Sequence, residues 1–283
     1  MNLNISPILL PSIKLTYREF LSTQAGGDSF MRFRRALYTE SDSLVQVLNS
    51  CVLQGLPMVR KDVLRVCDIG GADGTRVRSI LRFLHAKFGI RFALDFVEQS
   101  TYLMGALSEC DISGFTQTQR FEMLFEDATL RGPYDLVLLI HSIFAFENGP
   151  TVDKVLSLAA GDSTIVAVSN SQESLLAQLK KVLDSGYQDA RFELPDLLRV
   201  LDQRGVRYRQ IPFTTKWAVP NADLEEHISL LYDWLALGRQ DDLGDEKKSE
   251  FRDVLQRNAI KAGERLMFSE DEVAVVISGV LDR

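Results

Sequence analysis

The chain is poor in the residues that hold metals and disulfides. Its 283 residues include three cysteines, Cys51, Cys67 and Cys110, far apart and without a CxxC pair. Its three histidines are His85, His141 and His227, none in HExxH spacing. So sparse and odd a cysteine set gives no disulfide framework and points to a reducing, cytoplasmic setting. So few histidines leave no protein-borne zinc site to expect. Positive charge is also in deficit: 32 Lys and Arg stand against 39 Asp and Glu, a formal charge of −7. That balance opposes the phosphate attraction that dominates nucleic-acid binding, and Arg32-Phe33-Arg34-Arg35 is a short cluster that reads as a solvated helix face. No run of 18 or more apolar residues occurs, which excludes a transmembrane helix. The opening MNLNISPILLPSIK is broken by Pro7 and Pro11 and lacks a basic n-region, so no signal peptide is expected. With 18 Gly and 8 Pro against 46% hydrophobic residues, long disorder and low complexity are excluded as well.

What remains is a globular chain long enough for one large α/β domain or a core with an appendage. Residues 15–60 carry Phe20, Phe30, Phe33, Leu37, Leu44, Val47 and Leu48 at three- and four-residue spacings. They predict two or three helices around a turn at Ala25-Gly26-Gly27-Asp28. From residue 63 the pattern changes. VLRVCDIG (63–70), ALDFVEQS (93–100), RFEMLFED (120–127), YDLVLLI (134–140) and STIVAVSN (163–170) read as strands, separated by helical stretches such as TRVRSILRFLHAKFG and TVDKVLSLAA. YDLVLLI is apolar with little alternation, as in a strand buried on both faces of a parallel sheet. Beyond residue 170, further helices precede VRYRQIPFTT and EVAVVISG, two more strands, with SEDE as a turn before the last. The alternation predicts an α/β fold: a doubly wound, mostly parallel seven-stranded sheet of Rossmann-like form with a smaller helical or mixed region. The expected organisation is an N-terminal helical lid region (1–60), a cofactor-binding core (61–170), and a C-terminal part (171–283) that completes the sheet and adds a substrate-binding insertion.

The segment VCDIGGADGTRVRSIL carries the most chemistry. A buried strand runs into Asp68, Ile69, Gly70, Gly71, Ala72, Asp73 and Gly74 and opens a helix, and small residues there let a ligand approach the backbone. A dinucleotide fingerprint needs GxGxxG with the helix N-terminus facing a pyrophosphate. Here GGADG stands instead, and Asp68 and Asp73 are both unfavourable beside a pyrophosphate. That points to a cationic, phosphate-free adenosyl ligand. S-adenosyl-L-methionine has this character, with a sulfonium, an ammonium and a ribose diol whose hydroxyls a carboxylate can accept. Glu98, followed by Gln99, ends the next strand where such an acceptor would sit. Glu126 and Asp127 follow the third strand, within reach of an adenine amino group. Ile140, His141 and Phe144 end the central strand where a ligand's reactive end emerges. Each element has a structural alternative, since acidic strand ends are commonly solvated caps and a strand-end histidine is commonly a hydrogen-bonded structural residue. Their conjunction at four strand ends favours the ligand.

CDIGGADG, VEQS, FEDAT and YDLVLLIHSIF, in that order over about residues 63–170, resemble the class I S-adenosylmethionine-dependent methyltransferases, with Ala72 standing where a glycine is more usual. YREFLSTQ, FMRFRRAL, LIHSIF, ELPDLLRVLDQRGVRYR, LLYDWLAL and RLMFSEDEVAVVIS look like the histamine N-methyltransferase family in order and spacing. That resemblance implies a methyltransferase core with a discontinuous substrate region, and cofactor contacts at Gly70, Glu98, Ala128, Thr129 and Ile140. It implies acceptor contacts at the positions held here by Gln24, His141 and Glu270. None of the three keeps the family's residue, yet all are polar, which implies a small polar acceptor, or a cationic one paired with Glu270. Tyr17, Phe20, Phe144, Phe146, Trp217 and Trp234 are aromatic candidates for the acceptor pocket, each more commonly a core residue.

The chemistry expected first is N-methylation of a small amine or nitrogen heterocycle by in-line transfer, which needs alignment more than acid-base help. His141 would position the acceptor. O- or C-methylation of a specialised metabolite or amino acid is the alternative, because a hydroxyl or carbon acid must be deprotonated and an imidazole can serve as base. A cofactor-binding subunit without catalysis is the third reading. The partner expected is a small polar or cationic acceptor, with no nucleic acid, membrane or metal, in a monomer or homodimer.

Overall fold

Seven residues, Val63–Ile69, form strand β1 of the computed structural model, and five of them are buried. The structure describes residues 23–36, 40–47, 49, 62–104, 117–146, 149–184, 192–236 and 244–278. β1 is flanked by two parallel strands, β2 (Arg91–Glu98) and β4 (Tyr134–Ile140). β4 is buried at six of its seven positions, as its near-unbroken apolar run requires of a central strand. β3 (Gln117–Glu122) lies parallel outside β2, and β5 (Ala159–Asn170) parallel outside β4. The long β8 (Arg265–Ser278) then runs antiparallel between β5 and β6 (Arg209–Pro220). The order is β3-β2-β1-β4-β5-β8-β6, and the three-residue β7 (Ile260–Ala262) pairs with β8, making eight strands where seven were expected. This is a doubly wound, Rossmann-like α/β fold in which β8 runs antiparallel to its neighbours.

Helices follow their own local signals. In α3 (Thr75–Phe88), Val77, Ile80, Leu81 and Leu84 recur on one face and are buried, and Gly89 at φ +69 ends it. α6 (Leu194–Gln203) opens with Pro195 and a capping box in which Glu193 and Asp196 each accept the other's backbone N–H. One face of the sheet packs around Leu81, Phe92 and Leu94, the other around Val137, Leu197 and Leu201, the latter two from α6. A third cluster joins α1 (Gln24–Ala36), α5 (Leu175–Asp184), α7 (Leu224–Leu235) and α8 (Gly244–Asn258) through Phe30, Leu179, Trp234 and Phe251. α2 (Glu40–Val47) and α4 (Gly149–Ser157) complete the described helices of eight or more residues. None of them is long and apolar enough to cross a membrane.

Three local expectations change. The third strand spans Gln117–Glu122, so the chain leaves the sheet before Phe125 and turns through 125–127. Gly26 and Gly27 lie inside α1: a Cβ at Gly27 would sit 2.4 Å from the Tyr102 ring, so the glycine admits close packing without breaking the helix. SEDE belongs to β8, where alternation buries Glu270 and Glu272 and exposes Ser269 and Asp271.

Candidate active site

Beyond Ile69 the chain turns through Gly70 (φ +70), Gly71, Ala72 (φ +52) and Gly74 (φ +72) into α3. Gly70 leaves room for Ser142, whose Cβ would be 2.5 Å from an added methyl, and Gly71 presses on Asp68 and Phe96. Ala72 holds a left-handed conformation that costs a methyl-bearing residue about 1 kcal/mol, which is why glycine is more usual there. Its N–H donates to Glu98 Oε2 at 2.9 Å, and the Ser100 N–H donates to Oε1 at 2.9 Å. Strand end and loop are thereby locked together by one carboxylate.

Asp68 lies beneath the loop, 2% exposed. Burial first, then the neighbouring Glu98 carboxylate, pushes its carboxyl up to about 7 against the pull of Arg34 and Arg76. Burial raises Glu98 too, partly offset by the backbone N–H groups of Ser100, Ala72 and Gln99. Asp68 Oδ1 and Ser142 Oγ accept or donate no hydrogen bond among the described residues. Two crowded carboxylates and unused polar atoms suit a ligand that brings positive charge and hydrogen-bond donors. The donor set therefore fits S-adenosylmethionine.

The cavity at this carboxyl edge is walled by Gly70, Ala72, Glu98 and Gln99, by Met123, Phe125 and Glu126 after β3, and by His141, Ser142 and Phe144 after β4. It opens where β1 sends its two neighbours in opposite directions, the usual ligand crevice of such sheets. Lys154 of α4 braces the turn that carries Phe125 and Glu126, its ammonium donating to the carbonyls of Phe125, Glu126 and Ala128 at 2.7, 2.7 and 2.9 Å. Phe30 of α1 and Leu103 also line it, and the space they leave is about 60 Å³. Small-molecule sites generally enclose about 300–1,000 Å³, so a nucleoside-sized ligand needs this wall to rearrange.

His141 is a non-glycine residue at φ +53, immediately after the central strand. Left-handed backbone at a histidine persists where its surroundings hold it. Here the His141 N–H donates to the Val168 carbonyl at 2.9 Å, and the ring Nε2 lies 3.1 Å from Glu272 Oε2. Glu272 is 3% exposed, and the Thr215 hydroxyl donates to its other oxygen at 2.6 Å. An imidazole at the cavity wall thus has a buried carboxylate behind it, an arrangement that orients the ring.

Of the candidates read from the sequence, Gly70, Ala72, Glu98, Gln99, His141 and Phe144 come together on this cavity. Asp68, Gly71 and Gly74 support the loop from beneath or behind, and Ile140 is packed into the sheet core. Asp127 and Thr129 are exposed and Ala128 is buried in the core, because the turn points Phe125 and Glu126 at the cavity instead. Gln24 is exposed at the start of α1. Trp217, 1% exposed, stacks on Phe268 at 4.1 Å, a sheet-side core pair away from the cavity wall. Glu270 is 2% exposed and accepts the Leu176 N–H and the Asn170 amide, so it closes the start of α5 and is not available to pair with a cationic acceptor. Tyr17 lies outside the described residues. Glu272, Phe30 and Lys154 are the participants that the sequence reading missed.

No protein-family model matches the chain, and no curated protein sequence matches it. Solved structures do match in fold. A Bacillus halodurans protein provisionally assigned as a methyltransferase is 14% identical, with 85% of this chain and 100% of that chain covered and a TM-score of 0.54. A protein of Anabaena variabilis, assigned in the same provisional way to methyl transfer in an antibiotic biosynthesis pathway, is 17% identical over 81% of this chain and 96% of its own, with a TM-score of 0.51. Mycolic acid cyclopropane synthase, solved with S-adenosylhomocysteine and CTAB, is 12% identical over 94% and 100%, with a TM-score of 0.50. At these identities the likeness is one of fold.

Proposed function

We propose that the protein is an S-adenosylmethionine-dependent methyltransferase of a small molecule, and that its acceptor is a hydroxyl or other group that must lose a proton. The carrying observation is the convergence of the Gly70 loop, Glu98 and the Glu272-backed His141 on one cavity at the carboxyl edge of the sheet. The fold shared with methyltransferases of known structure supports the same reading. When bound, S-adenosylmethionine supplies an electrophilic methyl group on a sulfonium. Glu98 would accept the ribose hydroxyls, the wall at Met123, Phe125 and Glu126 would take the adenine, and the Gly70–Ala72 turn would take the amino-acid end. His141 would receive the acceptor's proton as the acceptor oxygen bonds to the methyl carbon, and the carbon–sulfur bond's electron pair returns to sulfur. Amine methylation, the first expectation from sequence, asks for no base, and a buried Glu272 behind the histidine favours the alternative.

Isothermal titration with S-adenosylmethionine is expected to show binding to the wild-type protein, and absence of binding sinks the reading. With phenols and hydroxy acids as acceptors, release of S-adenosylhomocysteine is expected to depend on pH in the neutral range. His141→Ala should lose turnover about 100-fold or more and Glu272→Gln somewhat less, both with cofactor affinity kept. Unchanged turnover in His141→Ala removes the base.

A further inference from the structure

Phe144 also lines a second cavity of about 340 Å³. Its walls are unlike the first. Phe144 and Phe192 supply two aromatic faces, Ser169, Asn170 and Ser171 supply polar groups from the end of β5, and Lys180 and Lys181 of α5 bring two ammonium groups. Lys180 pairs with Glu193 at 3.3 Å, but that carboxylate is half exposed and already accepts the backbone N–H that opens α6. Lys181 meets the Gln172 carbonyl at 3.4 Å and has no carboxylate partner among the described residues. The lining therefore carries a net positive charge, although the chain as a whole carries −7. Glu270, the carboxylate expected to receive a cationic acceptor, is turned into the start of α5 and does not face this space.

We infer that this second cavity is the acceptor subsite and that the acceptor is an aromatic carboxylate, its ring between Phe144 and Phe192 and its carboxylate at Lys180 and Lys181. The inference rests on the methyltransferase reading for its placement: Phe144 lines both cavities, so an acceptor held in the second is a neighbour of the cavity that His141 lines. A flat ring packs on the two phenyl side chains and an anion uses the two lysines, whereas a cationic amine meets like charge at the lysines.

The test is binding of three probes, 4-hydroxybenzoate, phenol and 4-hydroxybenzylamine, to the full chain with and without S-adenosylhomocysteine, by isothermal titration. The expected result is that 4-hydroxybenzoate binds at least about tenfold tighter than either probe lacking the carboxylate. The Lys180→Met/Lys181→Met double variant, which keeps the aliphatic stems of one partly buried and one exposed lysine, should lose that preference while binding phenol and S-adenosylhomocysteine as before. Equal affinities, preference for the amine, no binding of 4-hydroxybenzoate at millimolar concentration, or a carboxylate preference that survives the double variant each overturn the subsite. Failure of the cofactor to bind while 4-hydroxybenzoate still binds in a lysine-dependent way would overturn the methyltransferase reading and leave the anion site standing.

Discussion

At Gly71 a single missing methyl group sets the geometry of the loop. A Cβ there would lie 2.1 Å from Asp68 Oδ2 and 2.3 Å from the Phe96 ring, one a buried carboxylate and the other a fully buried side chain of β2. Neither neighbour has free space to move into. Gly71→Ala is therefore expected to cost about 1–3 kcal/mol of stability and to pull Ala72 away from Glu98, weakening S-adenosylmethionine binding more than the stability loss alone accounts for. Urea unfolding together with cofactor titration checks this, and a variant with wild-type midpoint and affinity would show that the loop has slack. His141 is constrained in a comparable way by its left-handed backbone, its bond to Val168 and its carboxylate partner. Residues of this kind carry the site, and they differ in how far the sequence reveals them. Gly70, Glu98 and His141 end strands whose apolar runs are plain. Glu272 is hidden in SEDE, a four-residue stretch with three acidic residues that reads as a solvated turn unless the period of two from Ala274 is extended back to Phe268. Only pairing with both β5 and β6 makes burial of two glutamates on that face tolerable, and such pairing is a long-range property.

Among the elements, α1 governs access. It packs on α7 through Phe30 and Trp234, with ring centroids 5.9 Å apart, and is tied to the glycine loop by Arg34, whose guanidinium lies 3.0 Å from Asp73. Burial works to raise the Asp73 carboxyl, yet Arg34 and the hydrogen bonds from Thr75 outweigh it and hold it below its ordinary value. Such charge-assisted bonds contribute about 1.5–3 kcal/mol. Since Phe30 lines the cofactor cavity, the helix that the tie holds down also forms part of the wall that a ligand meets. Arg34→Ala is expected to speed both association and dissociation of S-adenosylhomocysteine in stopped-flow measurements and to raise amide exchange across Gln24–Ala36. Exchange identical to wild type would mean that α1 is not held by this pair. The helix itself is legible from Phe30 and Phe33, but its course through Gly26 and Gly27 is not, because the close packing at Gly27 is against Tyr102, a residue far along the chain.

The molecule as a whole buries carboxylates in a way that couples its stability to pH. Burial, reinforced by Glu98, raises Asp68 to about 7, and burial, reinforced by Glu272 against bonds from Ser174, Leu176 and Asn170, raises Glu270 to about 8. In the unfolded chain both would titrate near about 4. Between pH 4 and 8 the native state therefore binds more protons than the unfolded state, and stability falls as pH rises. The sign is opposite to that of a salt-bridged carboxylate. The slope is at most about 1.4 kcal/mol per pH unit for each group, and the acidic surplus of the chain adds self-repulsion in the same direction as pH climbs above the pI of about 5.1. A cationic ligand beside Asp68 would favour its ionised form and so recover part of the loss. The urea midpoint is accordingly expected to decrease from pH 5.5 to pH 8, with Asp68→Asn and Glu270→Gln each flattening part of that decline, and saturating S-adenosylmethionine reducing the part that depends on Asp68. A midpoint that is constant or rises over this range would mean that water or a local rearrangement solvates these carboxylates, and the buried acidic pair would then have no bearing on how the loop receives a positive charge.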